Sequence, residues 1–78
     1  MSARAGWVLI GEAVASDGKS LVALWWDPRP WRDGSQSGQV WETYGGSPAS
    51  VAPALNETEA RRACRAWFAH RSFREVAP

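Results

Sequence analysis

The side chains best suited to do chemistry in this 78-residue chain are concentrated in residues 25–32, WWDPRPWR. Three tryptophans and two arginines fall within these positions, and two prolines stiffen the backbone between them. Indole and guanidinium groups stack on each other and on the groups of a partner. Because a stiff loop loses little conformational entropy when it binds, the segment predicts a recognition site. Its candidate partner-binding residues are Trp25, Asp27, Arg29, Trp31 and Arg32.

A second candidate surface is the polar face of a predicted helix, which carries Arg61, Arg62 and Arg65. Basic clusters of this kind serve as docking patches, although a row of arginines is more often a solvated helix face. The segment 25–32 also has a structural interpretation, in which Trp31 folds back over the sheet and the arginines solvate that cover. For each of the two candidate surfaces, the sequence leaves open whether it binds a partner or has only a structural or solvating role.

Tryptophan is unusually frequent in the chain, with six copies against one tyrosine and two phenylalanines. A domain of this size buries only about 60% of the surface that its unfolded chain exposes, so the interior has little room. Core filling accounts for some of the indoles, because each large aromatic side chain buries roughly 150–250 Å². We expect the others to lie partly at the surface, where tryptophan and arginine are enriched at binding hot spots.

The residues that could support catalysis or bind a metal are few and scattered. The only cysteine, Cys64, excludes an intramolecular disulfide, and we expect it to be buried in the core. The only histidine, His70, lies six residues away, which puts the two side chains about 240° apart around a helix. Glu57 and Glu59 diverge on the helix, and no cluster has metal-ligand spacing. The sequence therefore predicts no enzyme activity, no metal and no cofactor.

A β-hairpin is the clearest element that could position these residues. Two β-rich runs, 7–15 and 20–27, flank Asp17-Gly18, a pair typical of a two-residue type I′ turn. This turn would pair residues whose numbers sum to about 35. The face without charge, which we assign to the core, is predicted to carry Trp7, Leu9, Gly11, Ala13, Val22, Leu24 and Trp26. The opposite face would carry Val8, Ile10, Glu12, Val14, Leu21, Ala23, Trp25 and Asp27.

That opposite face is still mostly apolar, which is unusual for a sheet with one face in water. We therefore expect a loop, the C-terminal tail or a partner to cover it, and cover from within the chain is favoured because large exposed apolar patches are rare. Residues 39–44 predict a third strand, and 45–55 read as a connector with two prolines. Asn56 and Glu59 mark the start of a helix over 57–71. The predicted fold is α+β, a single domain over 1–78 in which a three-stranded antiparallel sheet packs against one C-terminal helix.

The charge balance bears on the kind of partner and on location. The formal net charge is only +1, whereas strong non-specific binding to nucleic acid needs a larger basic excess. Eight of the nine cations are arginine, which favours planar, bidentate contacts. Glu12 interrupts the short apolar run near the N-terminus, so we read neither a signal peptide nor a membrane span. We expect a cytoplasmic protein that is a monomer or a weak homodimer.

Several small families share the order β-β-β-α. Ser20-Leu21, Leu24-Trp25, Cys64 and Trp67 resemble motifs of the MbtH-like partners of adenylation domains. The Asn-x-Glu-x-Gln stretch and the Trp-Thr-Asp ending of that family are absent, so the similarity is one of architecture. Three-stranded DNA-binding domains with a supporting helix have the same order, and they insert the sheet into the major groove.

The chain also resembles small anti-CRISPR proteins and similar inhibitors from phages or other mobile elements, which are often stand-alone domains without a catalytic set. This resemblance implies stoichiometric binding to a CRISPR effector, a protein or nucleoprotein complex, so that target DNA or nuclease recruitment is blocked. A basic channel would attract Asp27, Asp33 and Glu42, whereas an acidic surface would attract the arginines. The alternatives are a DNA- or RNA-binding module and an MbtH-like adaptor of a larger enzyme.

Overall fold

The computed structural model describes residues 6–29 and 38–76 of the chain. These residues form an antiparallel sheet and one α-helix, so the predicted α+β class is confirmed. The elements are β1 Val8–Val14, β2 Leu21–Asp27, β3 Gly38–Glu42, β4 Ala49–Ala54, α1 Glu57–His70 and β5 Arg74–Glu75. The predicted number of strands is wrong, because the sheet has five strands in the order β4-β3-β2-β1-β5 rather than three.

The two strands missing from the prediction lie at the edges of the sheet. β4 has the sequence ASVAPA, whose small residues and Pro53 are typical of a connector. Proline is tolerated in an edge strand because only one side of that strand forms a hydrogen-bonded ladder. β5 has two residues and follows the helix, and it pairs with Ala13 and Val14 at the far end of the chain. Neither strand has the β-branched, alternating pattern that marks a central strand.

The turn between β1 and β2 is held by the Asp17 carboxylate. It accepts hydrogen bonds from the Lys19 and Ser20 backbone N–H groups at 2.8 and 2.9 Å and from Ser20 Oγ at 2.6 Å. These bonds, led by the Ser20 hydroxyl, lower the pKa of Asp17 to about 2. Gly18 has a positive φ of 76° but Asp17 does not, so the turn is not of type I′. The predicted register nevertheless holds from Gly11 to Val14.

A β-bulge at Ile10 changes which residues of β1 face the helix. The register shifts between Leu9 and Gly11, so that Val8 pairs with Trp26 and Leu9 pairs with Trp25. A bulge places two residues opposite one on the partner strand, which reverses the alternation of faces beyond it. The assignment of Trp7 and Leu9 to the core face is therefore wrong. Val8 and Ile10 contact the core instead.

The core lies between the sheet and α1. Its largest fully buried side chains are Phe68, Leu24, Val22, Val40 and Cys64. Asn56 caps the helix by accepting a hydrogen bond from the Glu59 N–H at 2.9 Å, and the Glu59 carboxylate accepts one from the Leu55 N–H at 3.0 Å, as the sequence predicts. The helix crosses β1 at Gly11, where an added Cβ would lie 2.5 Å from Cys64 Sγ. Gly11 is therefore the residue that allows close approach of helix and sheet.

Candidate functional site

The sheet face turned away from α1 carries an apolar surface. On β1 and β2 the register places five apolar residues on this face, which we call the apolar strip: Leu9, Val14, Leu21, Ala23 and Trp25. Leu21 is 67% exposed and Leu9 is 41% exposed, while the other three residues of the strip are half-buried. The outward face of an antiparallel sheet is normally polar. The predicted apolar character of this face is thus present, and its cover is partial.

Three tryptophans lie on this same outer face of the sheet. Trp25 pairs with Trp41 across β2 and β3, and the Trp7 ring stacks on the Trp41 ring with centroids 5.6 Å apart and planes 7° apart. Trp7 is only 9% exposed, so the segment before β1 supplies part of the cover that the sequence requires. Covered positions next to exposed leucines make this face a mixture of packed and accessible apolar surface.

The remaining described tryptophans border the core. Trp26 donates a hydrogen bond from Nε1 to the Ala54 carbonyl oxygen at 3.2 Å, and Trp67 on the helix lies beneath the Arg71 guanidinium, 4.4 Å from the ring centroid. Except for Trp7, the described tryptophans are half-buried. These indoles are therefore partly exposed, as expected from the sequence. Leu21 is more exposed than any of them.

Asp27 and Arg29 form a bidentate ion pair at the end of β2. Arg29 donates from Nε to Asp27 Oδ1 at 2.8 Å and from Nη2 to Oδ2 at 3.0 Å, and its backbone N–H also donates to Oδ1. The hydrogen bonds from Arg29, followed by smaller contributions that include one from Trp7, lower the pKa of Asp27. The predicted site residues Trp25, Asp27 and Arg29 are thus close together, while Trp31 and Arg32 lie outside the described residues.

The helix arginines occupy a separate surface on the other side of the sheet. Arg61 donates from Nε to Glu57 Oε2 at 2.9 Å and from Nη1 to the Ile10 carbonyl oxygen at 3.4 Å. Arg62 and Arg65 are exposed, and neither forms an ion pair with another described residue. The sequence candidates therefore divide into two groups, one at the end of β2 and one on the helix.

A groove along the edge of β1 was not foreseen from the sequence. It has a volume of about 530 Å³, and we call it the β1 groove. Its lining residues are Leu9, Ile10, Gly11, Glu12, Arg61, Arg65, Glu75 and Val76. The groove exists because β5 pairs only with the last two residues of β1. The β1 groove could be predicted from the sequence only if β5 were recognised as a strand, and the two residues of β5 carry no strand pattern.

The chemical inventory of the described residues is small. Burial raises the pKa of Cys64 to about 11, so this thiol stays protonated at neutral pH. Within residues 6–29 and 38–76, no group of three or more histidine, cysteine, aspartate or glutamate side chains is arranged to hold a metal ion. The helix in these residues is not long and apolar enough to cross a membrane.

No protein family, curated protein or solved structure matches this chain.

Proposed function

We propose that this chain is a non-enzymatic binding protein that docks on a protein partner through the apolar strip. The observation that supports this is the exposure of Leu21 and Leu9 on a sheet face that the helix does not cover. Apolar contacts of this kind form the centre of protein interfaces, and a half-buried tryptophan beside them is a frequent anchor. Trp25, which pairs with Leu9, is in the position of that anchor.

The carboxylates on the outer face of the sheet indicate which partner surface would fit. Glu12 is exposed beside Ala23 and forms no ion pair with another described residue. Asp27 is different, because Arg29 already neutralises its carboxylate. The partner surface should therefore present apolar side chains and a cation opposite Glu12.

A stoichiometric inhibitor of a host defence complex, of the anti-CRISPR kind, is the form of binding protein that we propose. Such a protein needs no catalytic residues, and it acts by occupying a surface that target DNA or a nuclease would otherwise use. A nucleoprotein complex that binds DNA offers a basic channel, which suits an apolar strip that contains the carboxylate of Glu12. In this proposal the protein is cytoplasmic, as its partner is.

A pair of matched aspartate substitutions tests the proposal. Leu21→Asp puts a charge at the most exposed residue of the strip, whereas Leu55→Asp makes the same change at a side chain of similar exposure, 59%, next to the helix. Binding to a panel of purified CRISPR effector complexes is measured by calorimetry, and target cleavage is measured in parallel. We expect Leu21→Asp to weaken binding by tenfold or more, because a buried unpaired charge costs several kcal/mol, while Leu55→Asp leaves binding unchanged.

The outcome against this proposal is equally defined. If no effector complex binds, or if both aspartate variants bind equally, the apolar strip is not the docking surface of such an inhibitor. A Trp31→Ala variant in the same assay tests the other predicted hot spot, which lies outside the described residues.

A nucleic-acid-binding function is the alternative that the exposed Arg62 and Arg65 favour. It predicts affinity for DNA or RNA that falls steeply as salt rises, because each phosphate contact releases counterions. Substitution of both arginines by alanine would then reduce the salt slope, whereas Leu21→Asp would leave it unchanged. The MbtH-like adaptor alternative predicts binding to a purified adenylation domain instead.

A further inference from the structure

We propose that the Asp17-Gly18 pair, in the turn between β1 and β2, is a site of aspartate isomerisation that the folded turn holds in its unmodified form. The modification converts Asp17 into isoaspartate when the turn opens. The inference goes beyond the proposed function, because it concerns the turn and not the residues of the apolar strip. It would stand if the outer face bound nothing.

The reaction needs only the Asp17 side chain, the next backbone nitrogen and water. Gly18 N attacks Asp17 Cγ, a C–N bond forms, and the proton on the nitrogen leaves with the carboxyl OH group as water, which closes a succinimide ring. Water then adds to one of the two ring carbonyl carbons and breaks its bond to the nitrogen. Cleavage at Cγ restores aspartate, whereas cleavage at the main-chain carbonyl carbon of Asp17 gives isoaspartate. Because Gly18 has no side chain, its nitrogen is open to attack.

The first argument is that the turn holds the Asp17 carboxyl group in an unreactive form. Its Oδ1 accepts from the Lys19 and Ser20 N–H groups, and its Oδ2 accepts from Ser20 Oγ. The reaction requires the protonated carboxyl group, since one oxygen has to leave as water. These hydrogen bonds favour the ionised form and lower the pKa of Asp17, with the Ser20 hydroxyl as the main cause. All three donors belong to residues beyond Gly18, so the bonds also fix the carboxylate in place.

The second argument is that the attacking nitrogen is engaged as well. The Gly18 N–H donates to the Ala15 carbonyl oxygen at 2.9 Å, and the attack requires the loss of this proton. The Ala15 N–H donates in turn to the Ser20 carbonyl oxygen at 2.8 Å, which closes the end of the hairpin. Both reacting groups of the folded chain are therefore bonded elsewhere, and the ring cannot form until the turn opens.

The third argument is the position of the turn at the surface. Residues 16–19 are all exposed, and hydrogen bonds at an exposed end of a hairpin open at a smaller cost in free energy than those of the core. The modification is therefore expected in chains that stay folded elsewhere. Isoaspartate adds one carbon to the main chain before Gly18 and moves the carboxylate onto Cα. The bonds to Lys19 and Ser20 are then lost, so a modified turn should not close again in the same form.

The test measures isoaspartate in protein that is incubated at neutral pH and body temperature. Trypsin cuts after Lys19 and after Arg32, so the fragment that contains Asp17 separates from the fragment that contains Asp33, which also precedes a glycine. Mass spectrometry with electron-transfer fragmentation distinguishes isoaspartate from aspartate. We expect Asp17 to isomerise at least about tenfold more slowly in the folded protein than in the same chain unfolded in guanidinium chloride, since several hydrogen bonds must break first.

Two matched alanine substitutions test the role of the turn. Ser20→Ala removes the hydroxyl that donates to Asp17 Oδ2, and the rate in the folded protein should rise about threefold to tenfold, which corresponds to the loss of one hydrogen bond. Ser16→Ala makes the same change in the same turn, where the Ser16 side chain forms no hydrogen bond with another described residue. It should leave the rate unchanged. In guanidinium chloride the parent and both variants should react at the same rate.

Opening of the turn and unfolding of the whole chain give different results. The parent protein is incubated in enough guanidinium chloride to lower its free energy of unfolding by as much as Ser20→Ala does, and it should react more slowly than that variant. If it reacts as fast, global unfolding exposes the site and the proposal is overturned. Equal rates in the folded and unfolded parent, equal rates in the two variants, or absence of isoaspartate at Asp17 in the unfolded chain would also overturn it.

Discussion

The two faces of the same sheet differ sharply although both are built from apolar residues of β1 and β2. On the helix side, Ala13, Val22 and Leu24 are at most 1% exposed, whereas on the outer face Leu21 is 67% exposed. Burial of apolar surface is the main stabilising term in folding, so only the helix side contributes it in full. The apolar outer face does not contact the helix, and for this reason we propose that it binds a partner.

Truncation of one leucine on each face tests this difference between the two faces most directly. Leu24→Ala removes a fully buried side chain from the core, and we expect the free energy of unfolding to fall by about 2–5 kcal/mol. Leu21→Ala should change it by less than about 0.5 kcal/mol, as surface substitutions do. Urea denaturation of both variants measures the difference. Similar losses for the two would mean that the outer face belongs to the core.

The closeness of helix and sheet at Gly11 gives the next largest effect. Gly11→Ala places a Cβ where Cys64 Sγ and a Phe68 ring carbon stand 2.5 and 3.2 Å away, so we expect a loss of about 1–3 kcal/mol. Cys64→Ala removes the sulfur, and the double variant should regain part of that loss. The double-mutant cycle in urea measures this coupling. Additive losses would show that the helix can move aside without cost.

The parts of the fold that local signals encode were predictable from the sequence. The Asp17 turn set the register of the nearby ladder, and Asn56 and Glu59 marked the start of the helix, because both depend on hydrogen bonds between residues within four positions. The bulge at Ile10 was not predicted, and no local turn or capping signal in the sequence marks it.

The candidate site shows the same division. Trp25 and Asp27 share a face because alternate residues of a strand do so, and Arg29 binds Asp27 from two positions further along the chain. The β1 groove was missed because it requires β5, whose two residues pair with a strand sixty positions earlier. The prediction that the charge of Asp27 attracts a partner did not allow for its neutralisation by Arg29.

The stack of Trp7 on Trp41 shows that the outer face is not uniform. Trp7 is nearly buried there, so Trp7→Ala should cost about 1–3 kcal/mol, less than a core truncation of this size because cover on this side is partial. The variant should also increase the exposure of Trp41, which a red shift of its fluorescence reports. A loss as small as that of Leu21→Ala would mean that the stack does not stabilise the fold.

The smallest expected effect concerns pH and the ion pair at the end of β2. Because Arg29 holds the pKa of Asp27 below its unfolded value, near 4, the ionised carboxylate stabilises the folded state. This contribution is present in full above the unfolded pKa and is lost as pH falls through the folded one.

Asp27→Asn removes that titration, and since Arg29 is 60% exposed we expect a loss below about 1 kcal/mol at pH 7. The difference in unfolding free energy between the two proteins should shrink as pH falls below about 4. Asp17→Asn makes the same change in the turn between β1 and β2. Because the pKa of Asp17 is lowered to about 2, its contribution to the free energy of unfolding should also be lost as pH falls. A difference in unfolding free energy between the parent protein and Asp27→Asn that stays constant with pH would contradict this. It would indicate that the Asp27 side chain stabilises the fold through its contact with Trp7. The outer face at this point would then be structural and not available to a partner.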